Sequence, residues 1–279
     1  MPKIVITKDI ESNLINCYIE ENITCTELAK RFRLKRQSVI YRLKKSGIQI
    51  RQLQGRRFNL NHNYFNIIDT EEKAYFLGFL YADGYNYEKE NVVSIKLQKD
   101  DKEILEKFKD MLRSELKIYF QKGVGRKDSY SLSVRSEKLS KDLSKLGCFQ
   151  RKSLTLRFPT ENQVPKRLLK DFLRGYFDGD GTFGRYKANR HKYLRGKVGI
   201  CSTVFFLEEV KKIINGLGIS CYISKVNRRK TTTRQLGING NYNMMVFLDW
   251  LYGDCSISLK RKYDKYIKIK KEIEYEQKL

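Results

Sequence analysis

Residues that commonly bind soft metals are scarce in this chain. Only two histidines occur, His62 and His191, and none of the six cysteines (Cys17, Cys25, Cys148, Cys201, Cys221, Cys255) stands in a C-x-x-C pair. That excludes the usual zinc frameworks and predicts reduced, mostly buried thiols. Long hydrophobic runs are missing too. The longest, 74–82, is too short to span a bilayer and contains glycine, and nothing at the N-terminus reads as a secretory signal. The expectation is a soluble intracellular protein of the cytoplasm or nucleoid, or of an organelle that encodes it.

Acidic residues are absent over whole stretches: none lies between Leu28 and Arg57, between Thr182 and Leu207, or between Val210 and Leu248. Against 32 acidic residues stand 57 basic ones, a formal net charge of +25. An excess this patchy marks binding faces for a polyanion. Without amphipathic or lipidation signals, nucleic acid fits better than a membrane surface.

What is present is one pattern used twice, FLGFLYADG at 76–84 and LRGYFDGDG at 173–181. Each is a short apolar run with small residues four apart, Gly78/Ala82 and Gly175/Gly179, which share one face of a helix. Glycine inside a helix costs roughly 1 kcal/mol relative to alanine. Close approach of one helix backbone to the other explains its use. Gly84 and Gly181 suit the left-handed position that stops a helix. Asp83 and Asp180 then fall in the last turn, against the helix dipole. Two such acids side by side call for a cation between them, and a divalent metal site follows.

Along the chain, residues 8–22 read as a helix with Ile10, Leu14, Cys17 and Tyr18 on one face. Leu28, Ala29 and Phe32 then mark a short helix, residues 33–35 a tight turn, and Val39, Ile40 and Leu43 the buried side of a second helix. This resembles a helix-turn-helix in the module 1–50, whose DNA-reading residues would be Arg36, Gln37, Ser38 and, one turn on, Arg42. The competing reading is a three-helix unit that docks on the rest of the protein. Residues 51–68 form a basic linker without periodicity.

Two repeats follow, 69–164 and 165–279, each read as helix, two strands, helix, two strands, helix. In the first, helices at 100–112 and 136–146 alternate with strands at 93–98, 117–121 and 130–135. In the second, the motif helix 168–179 precedes strands at 183–186 and 196–202, a helix at 204–217, strands at 221–226 and 234–239, and a helix at 242–251. The strand after Cys221 has no legible register, since Cys221/Ile223/Lys225 and Tyr222/Ser224/Val226 are equally mixed. Residues 259–279 read as a charged terminal helix or tail. The fold class is α+β: two pseudo-twofold-related αββαββα repeats whose sheets form a saddle for duplex DNA, plus the small all-α module. Positions expected to meet DNA are Lys96, Gln98, Arg135, Arg185, Lys197, Lys225, Arg228, Arg229 and Arg234.

The paired motifs resemble the signature of the LAGLIDADG homing endonucleases, in their single-chain, two-motif form, and with the repeat the likeness covers about residues 69–266. The resemblance implies a site-specific endonuclease that cuts both strands of a long asymmetric target across the minor groove, leaving short 3′ overhangs. It would act as a monomer without a protein partner. It also implies that Asp83 and Asp180 hold two or more Mg²⁺ ions, which Mn²⁺ could replace, helped by the carbonyls of Ala82 and Gly179. Asp178 is a third acid; two residues from Asp180, it points to a different helix side, where hydrogen bonding is expected. Tyr81 in its place in the first motif argues that the position is not essential to the metal. A lysine near each site is carried over to Lys152 and Lys262, with Lys260 competing for the second place. No terminal His-Asn splicing signature is seen, so a freestanding or intron-encoded protein is expected. The rival reading is a transcription regulator or RNA-splicing maturase that kept the scaffold without cutting.

Overall fold

A computed structural model describes residues 8–20, 23, 25–50, 59–125, 127–150, 152–187, 193–225 and 233–277, with the side chains of Lys8, Ser153 and Lys225 left out. The chain folds as two units, 1–58 and 59–279. In the first, α1 (Lys8–Ile19), α2 (Cys25–Arg31) and α3 (Arg36–Lys45) enclose a small core of Leu14, Cys17, Tyr18, Cys25, Leu28, Ala29, Val39 and Leu43. The turn between α2 and α3 passes through Arg33 in the left-handed region, φ 52°.

The second unit carries the repeats. The first runs α4 (Glu71–Asp83), β1 (Gly84–Tyr87), β2 (Val92–Gln98), α5 (Lys102–Met111), β3 (Tyr119–Gln121), β4 (Ser129–Arg135) and α6 (Glu137–Lys145). The second runs α7 (Leu169–Asp180), β5 (Gly181–Lys187), β6 (Leu194–Thr203), α8 (Val204–Gly216), β7 (Cys221–Lys225), β8 (Thr233–Asn239) and α9 (Asn241–Tyr252), and α10 (Lys260–Glu276) closes the chain. Each repeat makes a four-stranded antiparallel sheet, ordered β1-β2-β4-β3 and β5-β6-β8-β7. Alternation explains the faces. Val93, Ile95, Leu97, Leu132 and Val134 point into the core of the first sheet, and Phe183, Val198, Ile200, Leu236 and Ile238 into that of the second.

Helices α4 and α7 pack on each other at the centre, and each has an unbroken buried run, 74–81 and 171–178. The reason is reciprocal. A Cβ on Gly78 would fall onto the Phe172 carbonyl oxygen and lie 2.9 Å from Tyr176 N. One on Gly175 would fall onto the Tyr75 carbonyl oxygen and lie 2.9 Å from Phe79 N. The two helices therefore touch backbone to backbone at matching positions. Fully buried Arg174 bolts the repeats together. It pairs with Glu71 at 2.6 Å and Asp171 at 3.0 Å and donates to the carbonyls of Ile257 and Leu251.

Two sequence expectations are corrected here. Gly84 and Gly181 are not left-handed; their φ values are −81° and −82°, and each opens a strand. Glycine is needed for room, because a Cβ at Gly84 would crowd the Leu80 backbone and one at Gly181 the Phe177 ring. The thiols are free, yet only Cys17, Cys25 and Cys148 are buried, while Cys201 is exposed. Among the described residues no helix is long and apolar enough to cross a membrane.

Candidate active site

Asp83 and Asp180 end α4 and α7, so the backbone contact of those helices brings the two carboxylates to one place. A Cβ on Gly179 would lie 3.1 Å from Asp83 Oδ2, which puts that carboxylate beside the opposite motif. Both acids are open to solvent on one side. The protein packed around them nevertheless desolvates the charged form. That desolvation, with Asp180 repelling it, pushes Asp83 up to about 6, while Lys262, Lys152 and Arg261 pull the other way. Asp180 is raised as well, by desolvation, and opposed by Lys152 and Lys262.

Hard divalent cations fit such a donor set, in which like-charged oxygens are held together at a cost. Among the described residues no group of three or more His, Cys, Asp or Glu side chains could hold a metal. A cation here would therefore take two carboxylates, and its remaining ligands would be backbone, water or substrate oxygens.

Both expected lysines reach this place. Lys152 is buried and its Nζ donates to Gly84 O. Lys262 is buried too, donating to Phe177 O at 2.5 Å and Gly181 O at 2.6 Å. Burial lowers its pKa to about 8. Each ammonium thus sits on the residue that follows its own motif's aspartate, at equivalent positions in the two repeats. Lys260 points away, paired with Asp264 at 2.7 Å and 69% exposed. Asp178 is fully buried and accepts from Tyr75 Oη at 2.8 Å, Tyr252 Oη at 2.6 Å and Leu259 N at 2.6 Å. It has no open side for a metal.

The sheet faces turned away from the helices carry exposed Lys96, Gln98 and Arg135 on the first repeat and Lys197 on the second, as expected. Two positions are corrected. Arg185 shares the helix side of β5 with Phe183, and its nearly buried guanidinium pairs with Glu276 and Glu272 of α10. Register places Arg234 opposite Ser202, on the helix side of β8 together with Leu236. The Lys225 side chain, Arg228 and Arg229 lie outside the described residues. In the small unit Arg36 and Gln37 are exposed and Ser38 half-buried. Arg42 instead turns to Glu11 of α1 at 3.5 Å, and Tyr41 takes the outward place.

Sequence reading missed Arg195, Gln235 and Asn239. With Thr182, Tyr186 and Lys197 they line a cavity of about 540 Å³ on the open face of the second sheet. Extending the alternation Lys197–Gly199–Cys201 one step back would have found Arg195. Gln235 needed the β6–β8 register, and it reaches over Gly199, where a Cβ would lie 2.6 Å from its Nε2.

Comparison with known proteins accords with this geometry. The LAGLIDADG-like domain matches residues 70–147 and again 168–251. An uncharacterized protein of Methanocaldococcus jannaschii is 27% identical over 203 residues, 68% of this chain and 71% of that one. Among solved structures, the LAGLIDADG homing endonuclease I-LtrWI bound to target DNA has a TM-score of 0.52 at 12% identity, over 78% of this chain and 92% of that one. The LAGLIDADG homing endonuclease I-GzeII in complex with its DNA target has 0.50 at 14%, over 76% and 93%. At these identities the structural likeness is one of fold. With both repeats matched, over more than half its length, the chain belongs to the LAGLIDADG-like domain family.

Proposed function

We propose that the chain is a site-specific DNA endonuclease that hydrolyses one phosphodiester bond on each strand of a duplex, using divalent cations. The observation that carries this is the meeting of Asp83 and Asp180 at the ends of two helices related by a pseudo-twofold axis. A duplex has the same symmetry, so one acid can address each strand. Carboxylates crowded together against two helix dipoles have a use in cation binding and none in simple DNA binding, which favours cutting over a regulator or maturase.

Asp83 and Asp180, with the carbonyls of Ala82 and Gly179, would hold the metal. Mg²⁺, replaceable by Mn²⁺, would when bound polarise the scissile phosphate and neutralise its leaving oxygen. Lys152 and Lys262 stand beside the acids to counter the charge that builds on the phosphoryl oxygens. Lys96, Gln98, Arg135, Arg195, Lys197 and Gln235 would contact the duplex. Arg36, Gln37 and Ser38 of the small unit would extend the target. One chain supplies both half-sites, so a monomer suffices.

A target would be selected from a randomised duplex library and placed in a supercoiled plasmid. The parent should linearise it with Mg²⁺ and stop with EDTA. Asp83→Asn and Asp180→Asn should each abolish linearisation while keeping DNA affinity. Parental cutting by either variant would refute the assignment.

A further inference from the structure

The two motif helices differ in the residue two positions before each acid, Tyr81 in α4 and Asp178 in α7. Both side chains are buried, and each crosses to the segment that leads into its own repeat's lysine. Tyr81 Oη donates to the carbonyl of Leu146, the C-cap of α6. Gly147, at φ +87°, leaves room for that hydroxyl, since a Cβ there would strike it. Asn86 Nδ2 holds the same turn through Cys148 O at 2.9 Å, and Lys152 follows. In the second repeat Asp178 accepts from the Leu259 amide at 2.6 Å. Leu259 is the N-cap of α10, and its carbonyl accepts from the amide of Lys262 at 2.9 Å.

The two ties have opposite polarity. A hydroxyl grips a carbonyl on one side, and a carboxylate grips an amide on the other. Their partners across the helix pair differ to match. Tyr75 donates to Asp178 at 2.8 Å, whereas Phe172, at the equivalent place in α7, meets the Tyr81 ring edge-on with centroids 5.0 Å apart. The second tie is also shorter along the chain, from Leu259 to Lys262 against Leu146 to Lys152.

We propose that Asp178 and Tyr81 are positioning residues, each fixing its own repeat's lysine, Lys262 or Lys152, against the carbonyl that follows the motif acid, so that each governs the cutting of one strand. The strand assignment rests on the endonuclease reading; the positioning does not. Asp178 is surrounded by three donors. An amide in its place can keep its single acceptor oxygen on Leu259 and turn its NH₂ toward a tyrosine hydroxyl, which also accepts. The bond from the Leu259 amide is then no longer charge-assisted and is about half as strong, so the anchor loosens. Tyr81→Phe removes only the hydroxyl and keeps the ring contact.

The test has two arms on the full-length protein. In the first, lysines of the free protein are acetylated in a timed reaction and quantified by peptide mass spectrometry. Asp178→Asn should raise labelling of Lys262 by about fivefold, the factor for a buried charge-assisted hydrogen bond weakened by about half, and leave Lys152 within about twofold. Tyr81→Phe should do the converse, with a smaller change. No selective change, or an equal rise at both lysines, overturns the proposal. In the second arm, end-labelled duplex reports each strand. Asp178→Asn should slow one strand by about 10²-fold, as mispositioning by about an ångström does, and Tyr81→Phe should slow the opposite strand. A variant that is merely less stable would lose both cuts together, and that result also overturns the proposal. A parent that cuts no DNA refutes the endonuclease reading, while the labelling arm still decides the positioning.

Discussion

Replacing Gly175 by alanine adds one methyl group at the tightest point of the molecule. Its Cβ would fall onto the Tyr75 carbonyl oxygen, 2.8 Å from the carbonyl carbon and 2.9 Å from Phe79 N. Ordinary contacts begin near 3.4 Å, and backbone cannot rotate aside as a side chain can. The helices must part by roughly 1 Å, and a gap of about 0.5–1 Å already forfeits a quarter to a half of the dispersion well between each pair of touching atoms. Overpacking of this kind costs about 1–3 kcal/mol. Alanine returns about 1 kcal/mol through helix propensity. Taking the upper end of that range, the net loss is about 2 kcal/mol, a fall in melting temperature of about 4–8 °C for a unit of this size. Gly216→Ala is the control. That residue also lies in a helix, but a Cβ there meets nothing within 4 Å, so its melting temperature should hold or rise by up to about 3 °C. The assay is a thermal melt of parent and both variants in one buffer. If Gly175→Ala melts at or above the parent, the backbone-to-backbone packing is wrong.

Protonation of the acid pair gives a second prediction. Asp83 titrates near 6 in the folded chain and about 3.9 when unfolded. The folded state therefore holds the extra proton between those values, and metal-free stability falls as pH rises through that window. Adding Mg²⁺ should raise the melting temperature near pH 7.5 and do little near pH 5, where the proton competes; equal shifts at both would count against this metal site. The corrected sheet faces give a third. Lys197→Ala should flatten the salt dependence of DNA binding by about 0.9 in log K per decade of salt for each phosphate it no longer neutralises. Arg185→Ala should leave it unchanged, and a flattened slope for Arg185→Ala would reverse the face assignment. Finally, a protein starting at Asn59 should still cut with enzyme in excess, but bind more weakly and protect a shorter stretch on one flank. An identical footprint would take the small unit off the DNA.

Much of the fold was legible because its signals are local. Alternation fixed β2, since Val93, Ile95 and Leu97 are buried and Ser94, Lys96 and Gln98 face out. Small residues four apart marked the helix pair, and the duplicated Asp-Gly placed both acids. Features set by partners far along the chain were not legible. Arg185 reads as an outward strand residue until α10, far along the chain, supplies Glu276. The face of β7 is decided by the pairing of Ile223 with Leu236, which no pattern within the strand reveals. Arg42 looked free because its partner, Glu11, belongs to another helix. The glycines after each acid were read for their dihedral freedom, when packing against Leu80 and Phe177 was the true constraint.

The contact at Gly78 and Gly175 also has a bearing on how such a chain can change over generations. The spacing of Asp83 and Asp180 is set by peptide groups in contact, and peptide groups are the same whatever the surrounding sequence. Drift in side chains on the two sheets can therefore alter their outer faces while leaving the distance between the two acids untouched. Replacing either glycine alone costs stability, because its Cβ meets the backbone of the opposite helix, and a compensating change elsewhere has no side chain through which to act. The sheet faces are free to diverge, and the distance between the two acids is inherited as a constant.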